Sequence, residues 1–393
     1  MRVLISGAGI AGPTLAYWLQ HYGMQPTLVE RAPQLRTGGY IIDFWGCGYD
    51  VADRMGLLPE IGQKGYKVRE VRVVDTSAKS VSNFPASAFD RATHGRYISL
   101  PRGELAAAIF AALGDKVETI FGDSIAAMQE LDGGVRVRFE QGPERDFDLV
   151  VGADGLHSHV RALALGPESQ YEKYLGCKVA AFSLEGYRPR DELVYMMYTQ
   201  VGQQVARFAM RDDRTMFLFT FADENPDSGY SQSQKDLLRR RFARSGWECA
   251  KILDRLDEAC DFYFDRVSQI RVEQQQWSRG RVVLLGDAAS CVSLLAGEGS
   301  GLAMTAAYIL AGELHRANGD YAAAFARYRA LFGPFVAEKQ KMALRLAGWF
   351  APPSNWSIFL RNQGMKLLKF PMLADLMVGR DLVDHIELPQ YAA

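Results

Sequence analysis

The chain opens on a short apolar run, Val3-Leu4-Ile5, that gives way at once to glycines. A second run, Pro26-Thr27-Leu28-Val29, ends on Glu30, and the stretch from about Ala11 to Tyr22 between them has helical spacing. Strand, turn, helix and strand within about thirty residues predict two parallel strands joined by a crossover helix. Residues 103–113 predict an apolar helix, 135–139 alternate as a half-buried strand, and Phe147-Asp148-Leu149-Val150-Val151 predicts another buried strand before a further glycine turn.

From about 170 to 270 the pattern changes. Four runs (AAFSLEGY, LVYMMYT, VARFAM, TMFLFTF), separated by charged turns such as Arg211-Asp212-Asp213-Arg214, predict an antiparallel sheet with one covered face. Phe217, Phe219 and Phe221 share one side of the last run. Core packing and a substrate wall, with Phe208 and Met197, are both open readings of that stripe. Helices follow over about 232–244 and 247–256, then a parallel-type strand at 281–285, a glycine-rich turn and a helix over about 300–316. Helical patterns at about 321–347 and 356–377 are separated by Pro352-Pro353. In the last of them Trp356, Phe359, Leu360, Leu367, Leu368 and Phe370 form an apolar stripe. It is expected to cover the aromatic face of the substrate sheet rather than to lie on a membrane.

Charge changes the picture by exclusion. Forty-five Lys and Arg against 46 Asp and Glu leave a net charge of -1, with no strongly basic run, so a nucleic-acid partner has no electrostatic footing. The five cysteines are scattered and contain no C-x-x-C, which argues against a disulfide framework and a structural zinc site. None of the six histidines forms H-E-x-x-H, no metal is expected, and no G-x-S-x-G elbow provides a hydrolase nucleophile. His157 and His159 are read as loop or surface residues. The opening apolar run is too short for a secretory signal, and no later run has membrane-spanning length. The expectation is a cytoplasmic enzyme acting on small molecules, a monomer or weak homo-oligomer.

Gly7-Ala8-Gly9-Ile10-Ala11-Gly12 matches G-x-G-x-x-G. The first glycine permits the tight turn, the second lets backbone approach a pyrophosphate, and the third lets helix pack on strand. Glu30, at the end of the next strand, stands where a carboxylate meets a ribose hydroxyl pair. This motif alone does not choose between NAD and FAD.

Two further motifs do. Asp154-Gly155-Leu156-His157-Ser158-His159-Val160-Arg161 carries D-G-x-x-S-x-x-R after a strand, and Arg281-Val282-Val283-Leu284-Leu285-Gly286-Asp287-Ala288-Ala289 ends a strand on Gly-Asp. With the glycine turn, in this order and over nearly the whole chain, the sequence resembles the p-hydroxybenzoate hydroxylase-like flavoprotein monooxygenases. Several stretches (GGYIIDFWG, DFYFDRVSQI, AAYILAGEL, LPQY) look most similar to the tetracycline-inactivating monooxygenases and their bacterial relatives.

The resemblance implies an α/β fold. A Rossmann-type FAD domain would be built from residues 1–68, 93–168 and 270–345, an inserted antiparallel-sheet substrate domain from 69–92 and 169–269, and a helical tail from 346–393. It implies FAD-binding roles for Gly7, Gly9, Ala11, Gly12, Glu30 and Arg31, and for Arg102 near the phosphate and ribityl region. Asp154 and Gly155 would serve FAD and the arriving nicotinamide, and Asp287 the ribityl chain. Gly297, Gly299, Ser300, Gly301 and Leu302 would open a helix toward the flavin pyrimidine edge, where Glu298 would partly cancel the helix field. Asp43 and Trp45, with Phe208, Phe217 and Phe219, are candidate pocket residues. Ser290, Val292, Leu294 and Gly301 depart from the family pattern on the flavin's reactive side.

The implied activity uses NADPH or NADH as a transient co-substrate and O2. An aromatic, polyketide-like or enolic small molecule would be hydroxylated through a flavin C4a-hydroperoxide. A flavin dehydrogenase or oxidase on the same scaffold, or a protein that merely sequesters FAD or a ligand, are the alternatives. A flavin halogenase would carry W-x-W-x-I-P, which this sequence lacks.

Overall fold

The computed structural model describes residues 1–35, 38–229, 233–368, 384 and 386–392. The chain begins β1 (Arg2–Ser6), α1 (Ala11–His21), β2 (Gln25–Glu30), β3 (Ile41–Trp45), α2 (Gly46–Arg54), α3 (Leu58–Lys64). Next come β4 (Glu70–Val74), β5 (Ser80–Pro85), α4 (Ser87–Ala92), β6 (Tyr97–Pro101) and α5 (Arg102–Ala111). β7 (Glu118–Phe121), β8 (Ile125–Leu131), β9 (Gly134–Phe139), β10 (Arg145–Phe147), β11 (Leu149–Gly152) and α6 (His159–Leu165) follow. The middle holds β12 (Glu172–Glu185), β13 (Val194–Gln200), β14 (Gln203–Ala209), β15 (Arg214–Ala222), α7 (Gln234–Phe242), α8 (Cys249–Asp254) and β16 (Tyr263–Ile270). The last third is β17 (Ser278–Arg279), β18 (Val282–Leu284), α9 (Asp287–Ser290), α10 (Gly299–Arg316), α11 (Tyr321–Phe350) and α12 (Asn355–Leu367).

Val3, Leu4 and Ile5 are fully buried, as a strand covered on both faces requires. β1 accordingly lies inside a six-stranded sheet of order β17-β18-β11-β1-β2-β7, parallel except at its β17 edge. Ile5 sits in register with Leu28 on one side and Val151 on the other. The single strand expected at 147–151 is divided. Phe147 ends β10, which pairs with β9, while Leu149 begins β11. Asp148, between them, accepts a 2.6 Å bond from the Arg2 amide and so turns the chain from one sheet to the other.

The second sheet has seven strands in the order β16-β12-β15-β14-β13-β4-β5, antiparallel except for the β13–β4 pair. Its two faces have different jobs. Phe217, Phe219 and Phe221 point under α7 and α8, packed with Phe182, Leu238 and Phe242. Met216 and Phe208 take the other face, against Tyr66 and beside Tyr40 and Tyr195. The fold is α/β, with a parallel cofactor-type sheet, a second mixed sheet and helices at the C-terminal side.

α12 departs from expectation. Trp356, Phe359, Leu360 and Leu367 are exposed, while Arg361, Met365 and Leu368 are buried against the edge of the seven-stranded sheet. Arg361 decides the orientation: its guanidinium donates to Gln204 Oε1 (3.0 Å), Thr199 Oγ1 (2.8 Å) and the Trp349 carbonyl (2.9 Å). A charge with three such partners is stable inside, and turning the stripe inward would strand those groups. Phe370 lies outside the described residues. Among the described residues no helix is long and apolar enough to cross a membrane.

Candidate active site

The glycine turn between β1 and α1 is set by close backbone contacts. A Cβ on Gly7, whose φ is +105°, would stand 2.6 Å from the Ala153 carbonyl oxygen, and one on Gly12 would stand 1.9 Å from that of Gly7. No side chain is tolerated at either place. Glu30, at the tip of β2, accepts the Ala8 and Ala32 amides, each at 2.9 Å, and so ties strand end to turn. Arg31 is exposed. The first turn of α1 leaves N–H groups without intrahelical acceptors, a seat for an anion.

Arg102 begins α5, its amide held by the Tyr40 carbonyl at 3.0 Å. Its guanidinium is the nearest group to a Cβ built on Gly9, at 3.7 Å. Asp287 begins α9 directly after β18, and its Oδ1 is 3.9 Å from a Cβ built on Gly299 at the head of α10. Burial raises the Asp287 carboxyl above its ordinary range, opposed by the Arg102 charge and a bond with Cys291. Burial likewise pushes the Tyr40 hydroxyl up to about 12. The fold thus gathers the glycine turn, Arg102, Tyr40, Asp287 and the α10 head at one end of the parallel sheet. An anion seat, a cation beside it and a carboxylate able to take hydroxyls suit the pyrophosphate and polyol of FAD.

The D-G-x-x-S-x-x-R loop spends its charges on itself. The Asp154 carboxylate accepts the His159 (2.8 Å) and Val160 (3.0 Å) amides and the Ser158 hydroxyl, capping α6. Gly155 takes φ +81°. Arg161 is fully buried and donates to the Ala288 carbonyl at 3.1 Å, so this motif is bonded directly to the Gly-Asp-Ala-Ala turn. Beside it, His157 lies between Glu168 (2.9 Å) and Asp265 (3.3 Å). Those carboxylates, Asp265 foremost, raise its pKa to about 9, so the ring is cationic near neutrality. The position of His157 in a loop gave no sign of these distant partners.

At the α10 head, Gly297 takes φ +72°, Ser300 and Leu302 are buried, and Gly301 meets α2. A Cβ on Gly48 would stand 2.2 Å from the Gly301 Cα, so the two helices cross at bare backbone. Ser290 and Val292 are buried and Leu294 packs beside Leu295 and Tyr263. Between α2 and α10 lies a cavity of about 20 Å³, bordered by Asp43, Trp45, Gly297, Glu298 and Leu302, with room for about one water. A larger hollow of about 620 Å³, bordered by Arg2, Gln25 and Lys116, lies where β1 and β2 begin. Ligands of open α/β sheets bind at the opposite, carboxyl ends of strands.

Asp43, on β3, gathers a group of hydroxyls beside the α10 head. Its Oδ1 accepts Ser99 Oγ at 2.5 Å and the Tyr97 hydroxyl at 2.6 Å, and Tyr195 adds a third hydroxyl. Burial raises the Asp43 carboxyl, with these hydrogen bonds opposing. Phe208 lies behind this group, its ring 4.6 Å from that of Tyr195. Phe217 and Phe219 are not brought here; they fill the core under α7 and α8. Among the described residues no cluster of ligating side chains could hold a metal ion.

A family described as an FAD-binding domain matches residues 1–323. The chain belongs to this family. It is an FAD-dependent monooxygenase, as its relatives indicate. A flavin-dependent monooxygenase of Legionella longbeachae is 32% identical over 395 residues, spanning 100% of this chain and 98% of that protein. An uncharacterised protein of Mycobacterium tuberculosis is 40% identical over 342 residues, 86% of this chain and 91% of that one. The solved structure of the tetracycline destructase Tet(55) matches this monooxygenase with a TM-score of 0.83 at 32% identity, covering 99% of this chain and 98% of that one.

Proposed function

We propose that this monooxygenase draws electrons from NADPH or NADH and inserts one atom of O2 into an aromatic, polyketide-like or enolic small molecule. The observation that carries the reading is the Asp43, Tyr97, Ser99 and Tyr195 group, a half-buried carboxyl ringed by hydroxyls beside the α10 head. When bound, FAD supplies electron transfer and oxygen activation, chemistry that side chains lack.

The chain's own residues do the rest. The α1 head and Arg102 hold the pyrophosphate, Glu30 the adenosine ribose, and Asp287 the ribityl hydroxyls. The α10 head, with Gly297, Gly299 and Gly301, presents backbone N–H groups with no side chain in the way. Asp43, whose carboxyl burial raises above its ordinary range, hydrogen-bonds a substrate hydroxyl or enol, and the Tyr97 and Ser99 hydroxyls, 2.9 Å apart, fix its orientation. Phe208, Met216 and the ring of Tyr195 exclude water from that side.

The purified protein should be yellow and release FAD, not FMN, on denaturation. A panel of phenols, enols and polyketides is screened for acceleration of NAD(P)H oxidation, and products from 18O2 are weighed. The expected result is a product carrying one labelled oxygen. Oxygen consumption that yields only hydrogen peroxide with every compound would assign an oxidase instead.

A further inference from the structure

We infer that Lys339 is a positioning residue: with the two carboxylates it holds, it sets the charge that FAD meets at the head of α10. Lys339 lies on α11 and is only 4% exposed. Its Nζ is 3.0 Å from Glu298 Oε2 and 2.8 Å from Asp384 Oδ1. Glu298 immediately precedes α10, and the other oxygen of Asp384 accepts the Cys47 amide at 2.7 Å, in the first turn of α2. Both carboxylates border the small cavity between the two helix heads, together with Gly297 and Gly301.

The charges add up unusually. Two helix starts bring partial positive charge to this spot, while Glu298, Asp384 and Lys339 together contribute one net negative charge. Glu298 alone would oppose the α10 field, as the sequence suggested; paired with Lys339 it does so far less. Burial by itself would depress the Lys339 ammonium, but Glu298 and Asp384 outweigh it and hold the pKa above the usual range. The lysine therefore stays charged at any working pH. Were it neutral, two carboxylates would face FAD without compensation, and reduced FAD, which carries the added negative charge, would be bound less well than oxidised FAD. Were either carboxylate neutral, the reverse would hold.

The inference rests on the reading that FAD reaches the α10 head, and the test separates the two. The FAD-loaded protein and the variants Lys339→Gln, Lys339→Arg, Glu298→Gln and Asp384→Asn are compared for FAD dissociation constant and for midpoint potential against reference dyes. Lys339→Gln should lower the ratio of reduced to oxidised binding about tenfold, or about 30 mV for a two-electron couple. Glu298→Gln and Asp384→Asn should move it upward, and Lys339→Arg should stay near the parent. If Lys339→Gln does not fold, the upward shift of the two carboxamide variants still decides. Potentials that all fall, or carboxamide variants that keep the parent potential while FAD affinity drops, would reduce the triad to a structural clamp and overturn the inference. Should no variant change either quantity, FAD does not reach the α10 head and the underlying reading fails instead.

Discussion

His157 illustrates what a single residue gains from its fold. Its ring spans Glu168 and Asp265, and Asp265 also accepts the Tyr263 hydroxyl at 3.1 Å, beside Tyr40. Because its pKa is raised to about 9 from 6.5, the protonated ring stabilises the fold fully below pH 6.5, and that contribution disappears as pH rises through about 9. His157→Gln should therefore lower the melting temperature clearly at pH 6 and hardly at all at pH 10, as paired thermal melts would show. An equal loss at both values would mean that packing, not charge, holds the ring. Residues whose role is fixed by local backbone were legible in the sequence: Gly7, Gly12 and Glu30 are demanded by one turn. Asp43 was legible only through resemblance. Its partners Tyr97 and Ser99 stand 54 and 56 residues away and arrive by pairing of β3 with β6, which no local spacing announces. For Phe217 and Phe219 the period of two shows that they share a face; which face meets the core depends on α7 and α8, and Phe208 has the opposite one.

At the scale of elements, the longer helices such as α1, α5, α10 and α11 were readable from periodicity, whereas the short α2, α3, α4, α6 and α9 were not, and helix contacts depended on small residues and isolated charges. α2 and α10 approach so closely at Gly48 and Gly301 that Gly48→Ala forces its Cβ onto backbone 2.2 Å away. Backbone cannot rotate aside as a side chain does, so the helices must separate, at a cost of about 1–3 kcal/mol or more. Gly48→Ala should lower denaturant stability by that amount and also weaken FAD binding, whereas Gly62→Ala on α3, which meets nothing within 4 Å, should do neither. Chemical denaturation with and without added FAD provides the check. α12 shows the opposite failure of pattern. Its apolar stripe suggested the buried face, but Arg361, with its acceptors on β13 and β14, fixed the other. A run of hydrophobic residues indicates what favours burial, and a hydrogen-bonded guanidinium can outweigh it.

For the whole molecule, the candidate site is assembled from distant stretches: the 7–12 turn, Glu30, Arg102, Asp287 and the α10 head. Each is held by its own sheet or helix, so removing one ligand group should loosen FAD more than the fold. Asp287→Ala should weaken FAD binding by about 1.5–3 kcal/mol, the worth of a charge-assisted hydrogen bond, with a smaller change in apoprotein stability. Calorimetric titration of FAD into apoprotein, beside thermal melts, distinguishes the two effects. The same assembly governs the order in which the protein matures. In the parallel sheet β1 must wait for β11, some 145 residues later in the chain, and β18 joins from beyond residue 280. A ribosome-bound chain that has released only β1 and β2 therefore exposes apolar strand edges with no neighbours, the kind of surface that chaperones capture. Asp287 and the α10 head emerge later still, so the groups proposed to hold the vitamin-derived cofactor are complete only after some three quarters of the chain has been made.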